Sequence, residues 1–216
     1  MHRLLAIFTA VLIPIAAAAA PITVHNTGVD ATDTLVAPGA QTTFWTLLSA
    51  PGGATEAPGS DPFRFNCCYV ADSGVSAWVA PAASGNASVG GIYVYELLVD
   101  LAAFDLSTVS INGMFSTDND GFIRVNGGAN AATTGFADFG SLHPFTLSSG
   151  FVPGVNSIQV GVNNGGNPTA FRVEFSRAEG TPADAAEVPE PASLLLLGTG
   201  ITGLAARRRR MKSQAK

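Results

Sequence analysis

The middle of the chain is built from short runs in which apolar and polar residues alternate, separated by glycine, asparagine and proline. The clearest are residues 156–163 and residues 169–177, where Ile, Val or Phe occupies every second position. No run keeps a helical period for three turns, which disfavours long helices as building blocks. The number and spacing of these runs predict an all-β fold, an antiparallel β-sandwich. The predicted strands are residues 22–26, 42–48, 63–70, 75–80, 91–101, 106–115, 121–126, 144–148, 156–163 and 169–177.

Two details of the pattern predict burial and turns. Residues 92–99 are apolar on both faces apart from Glu96, as expected of a central strand covered on both sides. In residues 169–177, Arg172 and Glu174 lie opposite the apolar face, so they are predicted to point away from the core. Among the turn signals, Asn126-Gly127 is the most typical of a hairpin, because both residues tolerate the positive φ of a tight turn.

The first twenty residues have the layout of a secretory signal peptide. A positive start at Arg3 precedes an apolar run over residues 4–15 and a string of small residues that ends at Ala20. Cleavage directly before Pro21 would leave proline at the new N-terminus. We therefore expect the cut one or two residues earlier.

Residues 188–216 join a rigid Pro-Glu-Pro element to an uncharged run and a basic end. As a helix, residues 192–206 would rise about 22 Å against roughly 30 Å of hydrocarbon, which predicts a short, marginal transmembrane anchor. The arginines that follow predict a cytoplasmic end, because positively charged flanks stay inside. This order resembles the PEP-CTERM sorting signal of exported bacterial proteins. The residues that carry the resemblance are Pro189, Glu190, Pro191, Arg207, Arg208, Arg209 and Arg210.

The resemblance implies a partner and a route. Tails of this kind are removed by an exosortase-type membrane protease. The expected protein is exported, is held transiently in the inner membrane through residues 192–206, and then passes to the cell envelope or the extracellular matrix. The expected organisation is a signal peptide over residues 1–20, a β-sandwich over residues 21–180, a linker over residues 181–187 and the sorting segment over residues 188–216.

A second resemblance concerns the middle domain. Residues 120–127 read Asp-Gly-Phe-Ile-Arg-Val-Asn-Gly, residues 144–147 read Pro-Phe-Thr-Leu, and residues 151–162 contain Gly-Val-Asn before an alternating Ile/Val run. This series is similar to the later strands of galactose-binding-like jelly rolls. The resemblance implies a jelly-roll topology for the sandwich.

Charge narrows the class of partner. Residues 21–187 contain four arginines, no lysine and fifteen acidic residues, a formal charge of −11. Nucleic acid and anionic membrane surfaces are therefore disfavoured, because binding to either relies on Lys and Arg. Cations and neutral polymers remain compatible with this composition.

The two cysteines, Cys67 and Cys68, are adjacent. If residues 63–70 form a strand, alternation points the two side chains to opposite faces. A bond between neighbours also joins Cα atoms about 3.8 Å apart, below the usual ~4.4–6.8 Å, and is strained. The expected states, in order, are one buried and one exposed thiol, a bridge to another chain, and a vicinal disulfide.

The sequence favours a non-catalytic protein. It contains no Gly-x-Ser-x-Gly elbow, no His-Glu-x-x-His and no phosphate loop, and its carboxylates have no spacing that pairs two of them as a glycosidase requires. Aromatic residues offer flat apolar surface for sugar rings, with core packing as the alternative use of each. The expected role is therefore association with extracellular polysaccharide, or a purely structural matrix role, against the alternative of a secreted carbohydrate-active enzyme. The candidate sugar-binding residues are Trp45, Tyr69, Trp78 and Phe122.

The densest group of oxygen ligands is Asp118, Asn119 and Asp120, followed by Gly121. Two carboxylates and an amide can contribute to a structural Ca²⁺ site, which needs 6–8 oxygens at roughly 2.3–2.6 Å. The same residues also make an ordinary tight turn, because Asp and Asn bond their own backbone. No cofactor is expected to be required.

Overall fold

Two antiparallel β-sheets account for almost all the secondary structure of residues 18–183, the part of the chain that the computed structural model describes. The chain divides into two units, Met1–Pro182 and Ala183–Lys216, and the described residues lie almost wholly in the first. The predicted signal peptide lies mostly outside the described residues, and the sorting segment lies entirely outside them.

Eleven strands occur in the described residues, together with two short 3-10 helices at Leu106–Thr108 and Asp138–Gly140. Within the same residues, no helix has the length and hydropathy that crossing a membrane requires. The strands are β1 (Ala20–Pro21), β2 (Trp45–Ser49), β3 (Phe63–Arg64), β4 (Val79–Ala80), β5 (Gly91–Asp100), β6 (Ser110–Asp118), β7 (Gly121–Val125), β8 (Asn130–Thr134), β9 (His143–Leu147), β10 (Val155–Asn164) and β11 (Ala170–Gly180).

The strands form a six-stranded and a five-stranded sheet. The first has the order β3-β4-β11-β6-β9, with β1 also paired to β11, and the second has the order β2-β5-β10-β7-β8. Aromatic contacts join the sheets: the ring centroid of Phe171 lies 5.5 Å from that of Trp45 and 4.6 Å from that of Tyr95. The all-β sandwich prediction is confirmed, and the architecture fits a jelly-roll middle domain.

In β10 and β11, alternating apolar residues are buried in the core, as predicted. Ile158, Val160 and Val162 of β10 are buried, as are Phe171 and Val173 of β11. They belong to one apolar cluster shared by both sheets. Alternation therefore identifies the inner face of each of these strands.

The hairpin between β7 and β8 follows the predicted turn. Asn126 and Gly127 both have positive φ, 51° and 72°, and the Gly128 amide donates to the Val125 carbonyl over 2.9 Å. Positive φ at both central residues is the geometry that suits the twist of two paired strands. The returning strand β8 was not predicted, because Asn-Ala-Ala-Thr-Thr offers no large apolar side chain to mark it.

Arg172 lies on the face of β11 opposite the apolar one, as predicted, but that face is covered at this position. It is 2 % exposed, and its guanidinium donates to Ser76 Oγ, to the Ala71 carbonyl and to Glu174 Oε2. The chain that leads into β4 folds over this side of β11 and supplies two of those acceptors. A buried charge is tolerated where such partners satisfy it.

The predicted double cover of residues 92–99 is wrong at Ile92 and Leu98, on one side of the strand. β5 lies between β2 and β10, and its inner residues Tyr93, Tyr95 and Leu97 are buried. On the other side Ile92 is 50 % exposed and Leu98 is 59 % exposed. Val94, between them on the same side, is 7 % exposed, so within the described residues the outer surface of the five-stranded sheet is open at Ile92 and Leu98 and covered between them.

Candidate functional site

The outer surface of the five-stranded sheet, called the open face below, holds the strongest candidate site. Two cross-strand rows cross it. One joins Glu96 of β5 to Gln159 of β10 and Arg124 of β7, and the next joins Val94, Gly161 and Phe122 in the same strands. The open face consists of Ile92, Val94, Glu96, Leu98, Phe122, Arg124, Thr133, Ser157, Gln159, Gly161 and Asn163.

The ring of Phe122 lies against the backbone of β10. A Cβ atom added at Gly161 would stand 2.2 Å from Cζ of Phe122 and 2.3 Å from Cε1. Such contacts are far inside van der Waals distance, so only glycine at residue 161 lets the ring lie there. The half-buried ring is thereby fixed in position on an otherwise open surface.

Arg124 is oriented by its neighbours on the same face. Its Nε donates to Gln159 Oε1 over 2.9 Å, and its guanidinium carbon lies 4.7 Å from the ring centroid of Phe122. This is the distance range of a cation–π contact. Gln159 in turn donates to Ser157, whose hydroxyl donates to Glu96 Oε2 over 2.6 Å. A chain of hydrogen bonds thus runs across three strands.

A shallow pocket of about 200 Å³ opens beside Phe122. Asp120 borders it and accepts a hydrogen bond from Asn163 Nδ2 over 3.0 Å. Enclosed small-molecule sites run to roughly 300–1,000 Å³, so this pocket suits one unit of a longer ligand rather than a whole small molecule. An aromatic ring bordered by amides, hydroxyls and a carboxylate is a surface that can pack and hydrogen-bond a sugar. The residues that line it include Ile92, Asp120, Phe122, Asn130, Thr133 and Asn163.

The two tryptophans among the predicted sugar-binding residues belong to the interior. Trp45 is 0 % exposed, and its indole nitrogen donates to the His25 carbonyl over 3.0 Å. Trp78 is also buried and donates to the Val70 carbonyl over 2.8 Å. Both tryptophans therefore pack in the interior, which was the alternative to sugar binding. Of the four candidate residues, only Phe122 lies on the open face.

Tyr69 lies in the loop after β3, away from the open face, and contacts the end of β6. Its ring centroid is 4.4 Å from that of Trp78, and its hydroxyl donates to Asp118 Oδ2 over 2.8 Å. Burial raises the pKa of Tyr69, and the hydrogen bond to Asp118 adds to the rise. Burial likewise raises the pKa of Asp118, although the bond from Tyr69 opposes that shift. The pair ties the loop after β3 to β6.

The three residues proposed as a calcium site point to different partners. Asp118 accepts hydrogen bonds from Tyr69 and from Asn119 Nδ2, whereas Asp120 accepts one from Asn163. Asn119 Oδ1 accepts from the Gly165 amide over 2.7 Å. Across residues 18–183, no three His, Cys, Asp or Glu side chains gather as metal ligands would. The bonds to Tyr69, Asn163 and Gly165 tie the turn between β6 and β7 to distant parts of the domain.

The cysteines correct the expected order of states. Cys67 and Cys68 are bonded to each other, and both are exposed. The predicted strand over residues 63–70 ends at Arg64, and the chain bends at residues 67–70. The alternation that would separate the two thiols is therefore absent at these positions.

Arg124, Gln159 and Gly161 are site residues that the sequence analysis did not single out. Alternation could have identified Arg124, because it follows Phe122 by two residues in the same strand and must share its face. Gln159 and Gly161 are the polar or small residues opposite the predicted core face of β10. The sequence does not give the register between β7 and β10, which places Arg124 beside Gln159 and Phe122 beside Gly161.

The predicted sorting-signal residues lie outside the described residues. The evidence for them comes from comparison with known protein families. Residues 187–210 match the PEP-CTERM protein-sorting motif, a range that includes the Pro-Glu-Pro element and all four arginines. No curated protein and no solved structure matched the chain. The motif implies an exported protein that is anchored transiently in the membrane before release to the cell envelope, with an exosortase membrane enzyme as its processing partner. The chain thus carries a PEP-CTERM sorting motif over residues 187–210, joined to an all-β sandwich domain.

Proposed function

We propose that this exported protein is a non-catalytic component of the cell envelope or extracellular matrix that binds polysaccharide through the open face. The observation that carries the proposal is the ring of Phe122, held against Gly161 beside a shallow polar pocket of the open face. Aromatic rings contribute apolar contact area at a low cost in conformational entropy, because they rotate about only two side-chain bonds. The neighbouring amides and hydroxyls offer hydrogen bonds of both polarities to sugar hydroxyls.

The shape of the face favours a polymer over a small molecule. The pocket holds about 200 Å³, but the open face continues past it to Leu98, which is more than half exposed. A chain of sugars can occupy several positions across the strands, so weak contacts add up along its length. An exported protein held near the cell surface meets such polymers in its own surroundings.

The carboxylates of the face support a binding role rather than catalysis. Glu96 accepts a hydrogen bond from Ser157, and Asp120 accepts one from Asn163. Each is thereby oriented by a neighbour on β10, as a ligand-positioning group would be. A glycosidase instead requires two carboxyl groups that face each other across a scissile bond.

Affinity electrophoresis of the exported form tests the proposal. Gels containing soluble polysaccharides should retard the wild-type protein, and Phe122→Ala should restore free mobility. Val75→Ala is the matched control, because it removes an exposed apolar side chain from the segment that leads into β4 of the six-stranded sheet and should keep the retardation. Unchanged retardation of Phe122→Ala would contradict this site.

A reducing-sugar assay on the same samples separates binding from hydrolysis. We expect no release of sugar from any polysaccharide in the panel. Release that survives purification and disappears on replacing Glu96 or Asp120 would make the protein a carbohydrate-active enzyme instead.

A further inference from the structure

Arg124 differs from the other arginines of the described residues. Residues 18–183 contain four arginines and no lysine. Three of the arginines form ion pairs with carboxylates: Arg64 with Asp72, Arg172 with Glu174 and Arg177 with Glu179. Within the same residues Arg124 has no carboxylate partner, and its one hydrogen bond, from Nε, goes to the neutral amide of Gln159.

We infer that Arg124 makes the open face selective for glycans that carry carboxylate groups, such as uronate residues. This inference rests on the proposed function and adds the chemical class of the ligand. The terminal guanidinium nitrogens remain available to donate two parallel hydrogen bonds to a carboxylate, the geometry in which arginine binds most strongly. An ion pair with a carboxylate of the protein would have blocked that use.

The side chain is held ready for such a contact. The bond from Nε to Gln159 and the contact of the guanidinium carbon with the Phe122 ring orient the planar group and leave its terminal nitrogens available. Gln159 is itself buried and bonded to Ser157, so the support is rigid. Ordering a long side chain before binding removes part of the entropic cost that binding would otherwise carry.

The surrounding charge limits how acidic the ligand can be. Asp120 borders the pocket and Glu96 lies one strand beyond Gln159, so a second ligand carboxylate close to the first would meet like charge. The formal charge of −11 over residues 21–187 also repels a densely charged polyanion. The face therefore fits a glycan in which uronates alternate with neutral sugars.

A pair of ligands that differ only in charge tests this inference. Hyaluronan alternates glucuronate with a neutral sugar, and chemical reduction of its carboxyl groups leaves the same backbone without charge. We expect the wild-type protein to bind hyaluronan at least about tenfold more tightly than the reduced polymer, with the difference shrinking as salt is added. Equal affinity for the two forms would overturn the inference. Tighter binding of dextran sulfate than of hyaluronan would also overturn it, because the preferred anion would then be a sulfate ester.

Variants locate the effect at Arg124. Arg124→Gln should abolish the preference for hyaluronan, and Arg124→Lys should keep only part of it, because an ammonium group cannot bind a carboxylate through two parallel donors. Arg177→Gln is the matched control: it removes the same charge from an exposed arginine of the six-stranded sheet and should leave the preference unchanged. An equal loss in Arg177→Gln would mean that net charge, not Arg124, sets the preference.

The outcomes also separate the inference from the proposed function. If Phe122→Ala abolishes binding but the wild type does not distinguish the two polymers, the binding site stands and the selectivity of Arg124 is wrong. If the wild type binds neither polymer nor any neutral glycan, both are wrong.

Discussion

Replacing Gly161 by alanine is predicted to displace Phe122 and disable the open face. The new Cβ would stand 2.2 Å from Cζ of the ring, whereas ordinary contact begins near 3.4 Å, so the ring must move by more than 1 Å. Overpacking of this kind typically costs about 1–3 kcal/mol. In a domain of this size, that corresponds to a fall in the melting temperature of about 2–4 °C for each kcal/mol.

A double-mutant cycle isolates the contact between these two residues. In a Phe122→Ala background the ring is absent, so Gly161→Ala should cost almost nothing and can even stabilise, because glycine within a strand costs about 0.5–1 kcal/mol relative to alanine. Urea unfolding of the four proteins should give a coupling energy of about 1–3 kcal/mol. Gly140→Ala is the control, since nothing lies within 4 Å of its added Cβ. An equal cost of Gly161→Ala in both backgrounds would refute the seating of Phe122 on residue 161.

The remaining predictions concern a buried charge, the acidic turn and the tail. Glu174→Ala is expected to lower the free energy of unfolding by about 1.5–3 kcal/mol, because it leaves the buried Arg172 without its carboxylate. Burial opposes ionisation of Glu174, but hydrogen bonds from two serines and Arg172 outweigh it and lower its pKa, so this stabilisation is complete above about pH 4.5 and is lost as the pH falls further. Calcium should leave the unfolding midpoint unchanged, since Asp118 and Asp120 bond to separate partners. Glu190→Gln should block removal of the tail, and deleting the four arginines should impair membrane retention of the precursor, both visible by mass spectrometry of cell fractions.

Each of these three predictions would be contradicted by a specific result. Glu179→Ala breaks a more exposed ion pair and should cost less than about 1 kcal/mol, so an equal loss there would contradict the role of Glu174. A gain near 2.7 kcal/mol at calcium equal to 100 times its dissociation constant would show a metal site. An exported form that still ends at Lys216 would show that the tail is a plain anchor.

Alternation was sufficient to predict the sandwich and its inner faces. Ile158 and Val173 are buried because every second side chain of a strand must point the same way, whatever the partner strand. The turn at Asn126-Gly127 was predictable for an equally local reason, the positive φ that these residues tolerate. Such features need no knowledge of distant parts of the chain.

The candidate site needed information that is not local. Whether the outer side of β5 is covered depends on where other segments pass, and the apolar Ile92 and Leu98 gave no indication that they are exposed. Arg172 shows the converse, since residues almost a hundred positions earlier in the chain bury it. The contact of Phe122 with Gly161 requires the register between β7 and β10, which composition and periodicity do not determine.

NMR of the isotopically labelled exported protein tests the binding of polysaccharide by the open face most directly. On adding hyaluronan oligosaccharides, we expect the largest shift changes at the ring of Phe122, the Nε–H group of Arg124 and the methyl groups of Ile92. The signals of the Val75 methyl groups, in the segment that leads into β4 of the six-stranded sheet, should not shift. Shift changes that leave Phe122 and Arg124 untouched, or that cluster on the six-stranded sheet, would contradict the account.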